Sequence, residues 1–342
     1  MPTEPTMPEA TLDEMRRLLP LLPDADAESG AAALARQGRL TKPTGSLGVL
    51  EDLAAWFAVW QGRDPVRLDR PRVAVFAGNH GIAARGVSAY PAAVTAQMVQ
   101  NFQAGGAAVN QLCRTVDAEL RVYEMALEHP TADFTETPAM TEEECARAMA
   151  YGMMAVEDGI DVLCLGEMGI GNSTSAAALA CALFGGDAAD WTGPGTGVAG
   201  AALENKIAMV RAGVERHNGG DADALDLLAR LGGHELAAIA GAVLAARMGR
   251  VPVILDGFAC TVAAAVLYKL DPSALDHCLV GHLSTEPGHA RLLEAIGKDA
   301  LLTMRMRLGE GSGAALALGV LRGAVACHLG MATFDEAGVS ET

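Results

Sequence analysis

The residues best suited to chemistry lie in glycine-rich segments. Gly166-Glu167-Met168-Gly169-Ile170-Gly171-Asn172-Ser173-Thr174 sets three glycines ahead of an Asn-Ser-Thr cluster and an Ala-rich stretch. Such a turn exposes backbone N–H groups at a helix N-terminus, where an anion is stabilised. Its spacing is neither that of a dinucleotide fingerprint nor that of a P-loop. An ordinary strand-to-helix turn with a good cap reads the same way. A second run, Gly193-Pro194-Gly195-Thr196-Gly197, is followed by Lys206, a positive point charge of the kind a phosphate needs. Two such loops in one chain favour a nucleotide or sugar phosphate. In Gly309-Glu310-Gly311-Ser312-Gly313, flanking glycines let a ligand approach the backbone beside a carboxylate, which suits a general base. Glu167 offers a second carboxylate. For either residue, a solvated loop position is the commoner fate of a lone Glu.

Other combinations lead nowhere. Pro287-Gly288 interrupts any helix through His282 and His289, and neither His80 nor His234-Glu235 completes an H-E-x-x-H pair. Loop or cap histidines are expected, and no metal site. Ser46, Ser173, Ser284 and Ser312 lack a nucleophile elbow. Val253-Ile254-Leu255-Asp256-Gly257 ends in one acid, where enzymes using diphosphorylated ribose with Mg²⁺ carry two adjacent ones. A ribosyl transfer here needs a different donor.

These segments must be held by regular elements. Short apolar runs at Val73–Ala77, Leu120–Tyr123, Val162–Leu165, Val251–Leu255 and His277–Val280 read as strands, with a weaker one near Leu302–Met306. Ala-rich stretches at Pro91–Cys113, Ser173–Leu183, Glu235–Met248, Cys260–Leu270 and Gly313–Leu329 read as helices, as does Leu47–Trp60. Strands apolar at nearly every residue, alternating with helices, imply a parallel sheet covered on both faces. The fold class is therefore α/β, a three-layer Rossmann-like sheet of about six strands whose ligands bind beyond the strands' carboxyl ends. Glu215–Leu231 is the most polar central stretch, a surface excursion or short helix pair.

Composition narrows the partners. The 342 residues carry 25 Lys+Arg against 42 Asp+Glu, a net charge of −17, and 51% are hydrophobic. An acidic chain repels phosphate backbones and anionic lipid, so neither nucleic acid nor membrane surface is expected as a partner. The apolar content excludes a disordered chain, and charge and glycine interrupt every apolar stretch before it spans a bilayer. The acidic N-terminus lacks the basic and apolar regions of a secretory signal. Seven cysteines without a CxxC read as reduced thiols of a cytoplasmic protein.

Several segments together resemble the nicotinate-nucleotide:dimethylbenzimidazole phosphoribosyltransferases. They are Thr41–Gly48, Ala77–Gly81, Gly86–Pro91 with Val94-Thr95, Gly166–Thr174, Gly232–Glu235, Leu255–Phe258, Ser284–His289 and Met306–Gly313. They recur in family order from about residue 35 to 328, and the stretches around Glu310 and Gly169 are specific to that family. The resemblance implies transfer of the 5-phosphoribosyl group of nicotinate mononucleotide to 5,6-dimethylbenzimidazole. The products would be α-ribazole 5′-phosphate and nicotinate, as in cobalamin biosynthesis. Ring-bound nicotinate is a cationic leaving group whose departure needs neither diphosphate nor metal, in keeping with the single Asp256; no cofactor is implied. Alternatives are another aromatic base as acceptor, or a non-catalytic nucleotide-binding regulatory protein.

By the same resemblance Glu310 is the general base and Glu167 a second acid. Gly169, Asn172, Ser173 and Thr174 surround phosphate and ribose, with Gly195, Lys206 and Ser284 nearby. Tyr90, Met98 and Leu308 wall the base pocket. The implied organisation is a homodimer, each chain having an α/β domain over 70–312 and a small helical domain from 1–69 with 313–342. Asn79 stands where Asp is common in the family, His234 replaces a frequent Phe, and no acidic pair follows Gly197.

Overall fold

A computed structural model describes residues 10–340. The first nine and last two residues of the expected helical domain, and the start of the segment read for a signal, lie outside this range. Six strands form one parallel sheet: β1 Pro71–Ala77, β2 Glu119–Glu124, β3 Val162–Met168, β4 Val253–Leu255, β5 Cys278–His282 and β6 Ala300–Leu302. Their order is β2-β1-β3-β4-β5-β6. Parallel neighbours require crossover connections, which the Ala-rich helices supply. The order reverses between β1 and β3, so the loops beyond these two strands flank a crevice where α/β folds bind ligands.

Strand alternation explains the double burial. Ala74, Phe76, Leu163, Leu165, Val253 and Leu255 face one helical layer. Val73, Val75, Val162, Cys164 and Ile254 face the other. Register carries this across the sheet, with Val73 beside Cys164 and Cys164 beside Ile254. The first layer includes helices Asn172–Phe184, His234–Met248 and Phe258–Leu270. The second includes Val49–Gln61, Ala108–Thr115 and Ser312–Gly330.

The last of these has 19 residues and a mean hydropathy of 1.4, long and apolar enough to cross a membrane, yet half of it is buried in the fold. Small residues let it lie directly on the sheet. A Cβ on Gly281 of β5 would sit 3.0 Å from Ala314 Cα, and one on Gly166 of β3 would sit 2.1 Å from Gly311 N.

Three expectations shift. The run Pro91–Cys113 divides into Ala93–Ala104 and Ala108–Thr115, because Gly105 adopts a left-handed φ of 79° that ends the first helix. The last strand is Ala300–Leu302 and not Leu302–Met306. Beyond Leu302 the chain leaves the sheet edge, and Met306 O accepts from Thr285 N at 3.1 Å. Of the two readings of Glu215–Leu231, the surface excursion fails and the helical one holds in part: the segment takes in the end of helix Ala201–His217 and all of helix Ala224–Leu231, whose Leu225, Leu228 and Leu231 are fully buried. Its polar residues serve the ends, where Asp223 caps that helix and also accepts from Arg16 at 2.6 Å.

Candidate active site

The loops beyond β1, β3, β4, β5 and β6, with the loop through Gly195 and Thr196, enclose a cavity of about 500 Å³. It gathers ten of the twelve expected site residues: Tyr90, Met98, Glu167, Gly169, Asn172, Ser173, Gly195, Ser284, Leu308 and Glu310. Lys206 and Thr174 stand behind the wall, 1% and 0% exposed. A larger opening of about 1070 Å³, lined by Met125, Thr131, Arg147 and His234 among others, holds none of the twelve.

The turn after β3 is held from several sides. Gly171 has a φ of 98°, Asn172 N donates to Gly169 O at 3.1 Å, and Ile170 N donates to the buried Thr95 Oγ1 at 3.1 Å. Helix Asn172–Phe184 starts there, directing its N-terminal dipole at the cavity. Lys206 Nζ donates to Ser173 Oγ and to Gly193 O, each at 2.9 Å. Burial lowers this ammonium to about 8 despite the nearby Glu286 carboxylate. The second glycine-rich loop closes over the pair. A Cβ on Gly195, whose φ is 51°, would lie 2.6 Å from Ser173 Oγ and 2.8 Å from Lys206 Nζ. Only glycine fits there. Thr174 Oγ1 is buried without a hydrogen-bond partner among the described residues.

Opposite the cradle is Glu310, 5% exposed, in a left-handed conformation with φ 63° between Gly309 and Gly311. A non-glycine residue in this region carries strain that its surroundings must offset. Two contacts do so. Glu310 N donates to Glu167 O at 3.0 Å, fixing the loop to the end of β3. Asp256, at the end of β4, accepts from Gly311 N at 3.1 Å, Gly313 N at 2.7 Å and Ala314 N at 2.9 Å. It thereby ties down the start of helix Ser312–Gly330.

Burial raises all three carboxyl groups above their usual range. Burial, reinforced by Asp256, lifts Glu310 to about 7. Burial likewise lifts Asp256 to about 7, against the pull of its three N–H partners. Glu167 lies well above the usual carboxyl range, through burial first and then repulsion from Asp256, Glu235 and Glu310. Asn172 Nδ2 donates to its Oε2. Like charges this close disfavour simultaneous ionisation.

His289 supports the loop after β5 from behind, whereas His282 lines the cavity. Ser284 N donates to His289 Nδ1 at 2.9 Å, and burial lowers His289 to about 3, so the ring is neutral. Its Nε2–H therefore points to Thr261 Oγ1 at 3.2 Å, and Thr261 in turn donates to Gly257 O at 2.8 Å. This chain sets the loop that carries Ser284. Sequence reasoning missed it, together with Arg307 and Glu286. Arg307 Nη1 donates to Gly195 O at 2.7 Å, and Glu286 Oε1 accepts from Gly195 N at 3.0 Å. Both line the cavity beside recognised motifs, but their long-range partner could not be read from spacing. Asn79 is a structural residue here, its Nδ2 donating to Leu127 O at 2.9 Å.

Fold and site together define an α/β protein whose cavity brings a glycine-rich helix N-terminus and a carboxyl group raised to about 7 into one space. Comparison with known proteins makes the class specific. A phosphoribosyltransferase family model matches residues 22–339. A nicotinate-nucleotide–dimethylbenzimidazole phosphoribosyltransferase of Brucella anthropi is 56% identical over 328 residues, covering 96% of this chain and 97% of that protein. One of the same name from Cereibacter sphaeroides is 59% identical over 333 residues, covering 97% and 98%. The crystal structure of CobT from Thermus thermophilus superposes with a TM-score of 0.87 at 42% identity, covering 92% of this chain and all of that one. The chain belongs to the nicotinate-nucleotide–dimethylbenzimidazole phosphoribosyltransferase family.

Proposed function

We propose that the protein transfers the 5-phosphoribosyl group of nicotinate mononucleotide to 5,6-dimethylbenzimidazole, releasing nicotinate, as a step of cobalamin biosynthesis. The observation that carries this reading is the placement of Glu310. Its carboxyl group lines the cavity that Ser173 and Gly195 also line, on a loop fixed by Glu167 and Asp256.

In this reading Ser173, Gly195, Ser284 and Lys206 hold the phosphate end, with Gly169, Asn172 and Thr174 shaping the turn beneath the ribose. Tyr90, Met98 and Leu308 wall the flat base. The lone-pair nitrogen of the benzimidazole attacks C1′ on the face opposite nicotinate, inverting that carbon. The C1′–N bond to nicotinate breaks, and its electron pair neutralises the pyridinium. The benzimidazole N–H proton passes to the Glu310 carboxylate, which leaves the new nucleoside uncharged in its base. General-base help of this kind contributes roughly 10²–10⁴-fold, and alignment of both substrates adds to it. Glu167, whose pKa burial raises, is less readily charged beside Glu310. No step is assigned to a metal or cofactor.

The same reading makes the protein a cytoplasmic homodimer acting on small molecules, with neither nucleic acid nor membrane as a partner. Its charge of −17 and seven unpaired cysteines support the first and last points. Tyr90 and Leu308, each 55% exposed at the cavity rim, support cover by a second copy. Within one chain, the described parts of residues 1–69 and 313–342 form the helical unit of this reading. Arg36, which donates to His328 O at 2.7 Å, and the bridge of Leu40 to Thr333 tie its two parts, while Ser312–Gly330 is shared with the sheet.

The test is to mix the protein with nicotinate mononucleotide and dimethylbenzimidazole, without added metal, and follow nicotinate and α-ribazole 5′-phosphate by chromatography. Binding of the nucleotide with no nicotinate release would refute the transfer reading.

A further inference from the structure

Three polar side chains with no part in the steps above meet in a buried chain beneath the cradle turn. Ser175 Oγ lies 3.0 Å from His80 Nδ1, and His80 Nε2 lies 2.6 Å from Glu235 Oε1. His80, Ser175 and Glu235 are 2%, 1% and 0% exposed. They come from the loop after β1 and from the first turns of helices Asn172–Phe184 and His234–Met248. A carboxylate only accepts, so His80 Nε2 carries a proton toward Glu235. Glu235 Oε2 has no hydrogen-bond partner among the described residues. A buried carboxylate left half satisfied is costly, so it is retained against a penalty.

The imidazole is wedged against the turn itself. A Cβ on Gly169 would lie 3.4 Å from His80 Cδ2, one on Gly171 3.2 Å from His80 Cβ, and one on Gly233 2.2 Å from His80 Cε1. Ser175 follows Ser173 by two residues, about 200° around the helix, so their side chains leave on opposite sides. Ser173 lines the cavity and accepts from Lys206 behind its wall, and Ser175 meets the imidazole on the other side. None of the three lines the cavity, so substrate does not reach the Ser175 hydroxyl and the trio is not a nucleophile with its base.

We infer that His80 is a positioning residue for the phosphate cradle, with Glu235 fixing the ring and Ser175 passing its position to the turn that carries Asn172 and Ser173. The inference rests on the proposed phosphoribosyl-transfer reading. It predicts an effect on one substrate: a shifted turn displaces the groups that hold the phosphate and leaves Tyr90, Met98 and Leu308 untouched.

Steady-state kinetics of Ser175→Ala in the full chain test this. KM for nicotinate mononucleotide should rise about tenfold, the equivalent of one hydrogen bond. KM for dimethylbenzimidazole should stay within about twofold, and kcat should fall less than KM rises. Glu235→Gln keeps an acceptor for His80 Nε2 and should restore near-normal nucleotide KM, whereas Glu235→Ala should behave like Ser175→Ala. An unchanged nucleotide KM in folded Ser175→Ala overturns the inference, as does an equal rise for both substrates, the signature of general loosening. If Ser175→Ala melts too low to assay, Ser175→Cys, with its weaker donor, carries the same comparison. Calorimetric titration with nicotinate mononucleotide alone reads the affinity loss without turnover. A wild-type chain that binds nucleotide but releases no nicotinate therefore defeats the transfer reading while leaving this inference open to the same measurement.

Discussion

Glu310 and Glu167 are joined through the backbone: the Glu310 N–H donates to the Glu167 carbonyl oxygen at 3.0 Å. Gly309 is pressed so close that a Cβ there would lie 2.7 Å from Glu167 Oε1. The loop carrying the proposed base is thus built onto the strand end carrying the second acid. Asp256 completes the clamp from β4.

Replacing the base while keeping its shape separates binding from chemistry. Glu310→Gln should bind nicotinate mononucleotide with near-normal affinity and lose roughly 10²-fold or more in kcat. Calorimetry and product assay on the same preparation check both halves. Retained turnover would remove Glu310 as proton acceptor.

The pH profile follows from two groups. Glu310 must be ionised to accept a proton, and its carboxyl titrates at about 7, so kcat/KM should rise with pH through that value. In the proposed function Lys206 holds phosphate as a cation, and it titrates at about 8, so the rate should fall again above it. The result is a narrow bell. Glu310→Gln should abolish the acidic limb of whatever activity remains.

Asp256→Asn tests the clamp. An amide presents one acceptor oxygen in place of two, so the N–H groups of Gly311, Gly313 and Ala314 lose part of their partner. A stability loss of about 1–3 kcal/mol is expected, read as a lower denaturation midpoint. Removing the negative charge that raises Glu310 should also move the acidic limb to lower pH. A limb that stays in place argues against electrostatic coupling between them.

Lys206→Ala removes a charge-assisted contact of the cradle. Nucleotide affinity should weaken about 10–100-fold, with KM for the base little changed. Lys206 also donates to Gly193 O, so a modest fall in Tm accompanies it. Equal affinities in the variant and the wild type would place the phosphate elsewhere.

Much of the scaffold was legible in the chain because the central strands β1, β3 and β4 are buried on both faces and the glycine-rich turn Gly166–Thr174 follows one of them. Val73 to Ala77 and Val162 to Leu165 fall within β1 and β3, and the cradle residues open helix Asn172–Phe184. The errors came where local pattern was overruled. Gly105 broke a helix that periodicity alone would extend, and Leu225, Leu228 and Leu231 found a core that the polar residues around them concealed.

By itself the sequence determined the α/β class, the glycine-rich turns and the family, since periodicity and motif are local properties of the chain. Tertiary structure alone decided which separated groups meet: Glu310 with Glu167, Asp256 with three amides, His80 with Ser175 and Glu235. It also raised the carboxyl pKa values of Glu310, Glu167 and Asp256. A carboxyl pKa depends on lost solvent and neighbouring charge, and both are fixed only when strands distant in sequence bring their ends together.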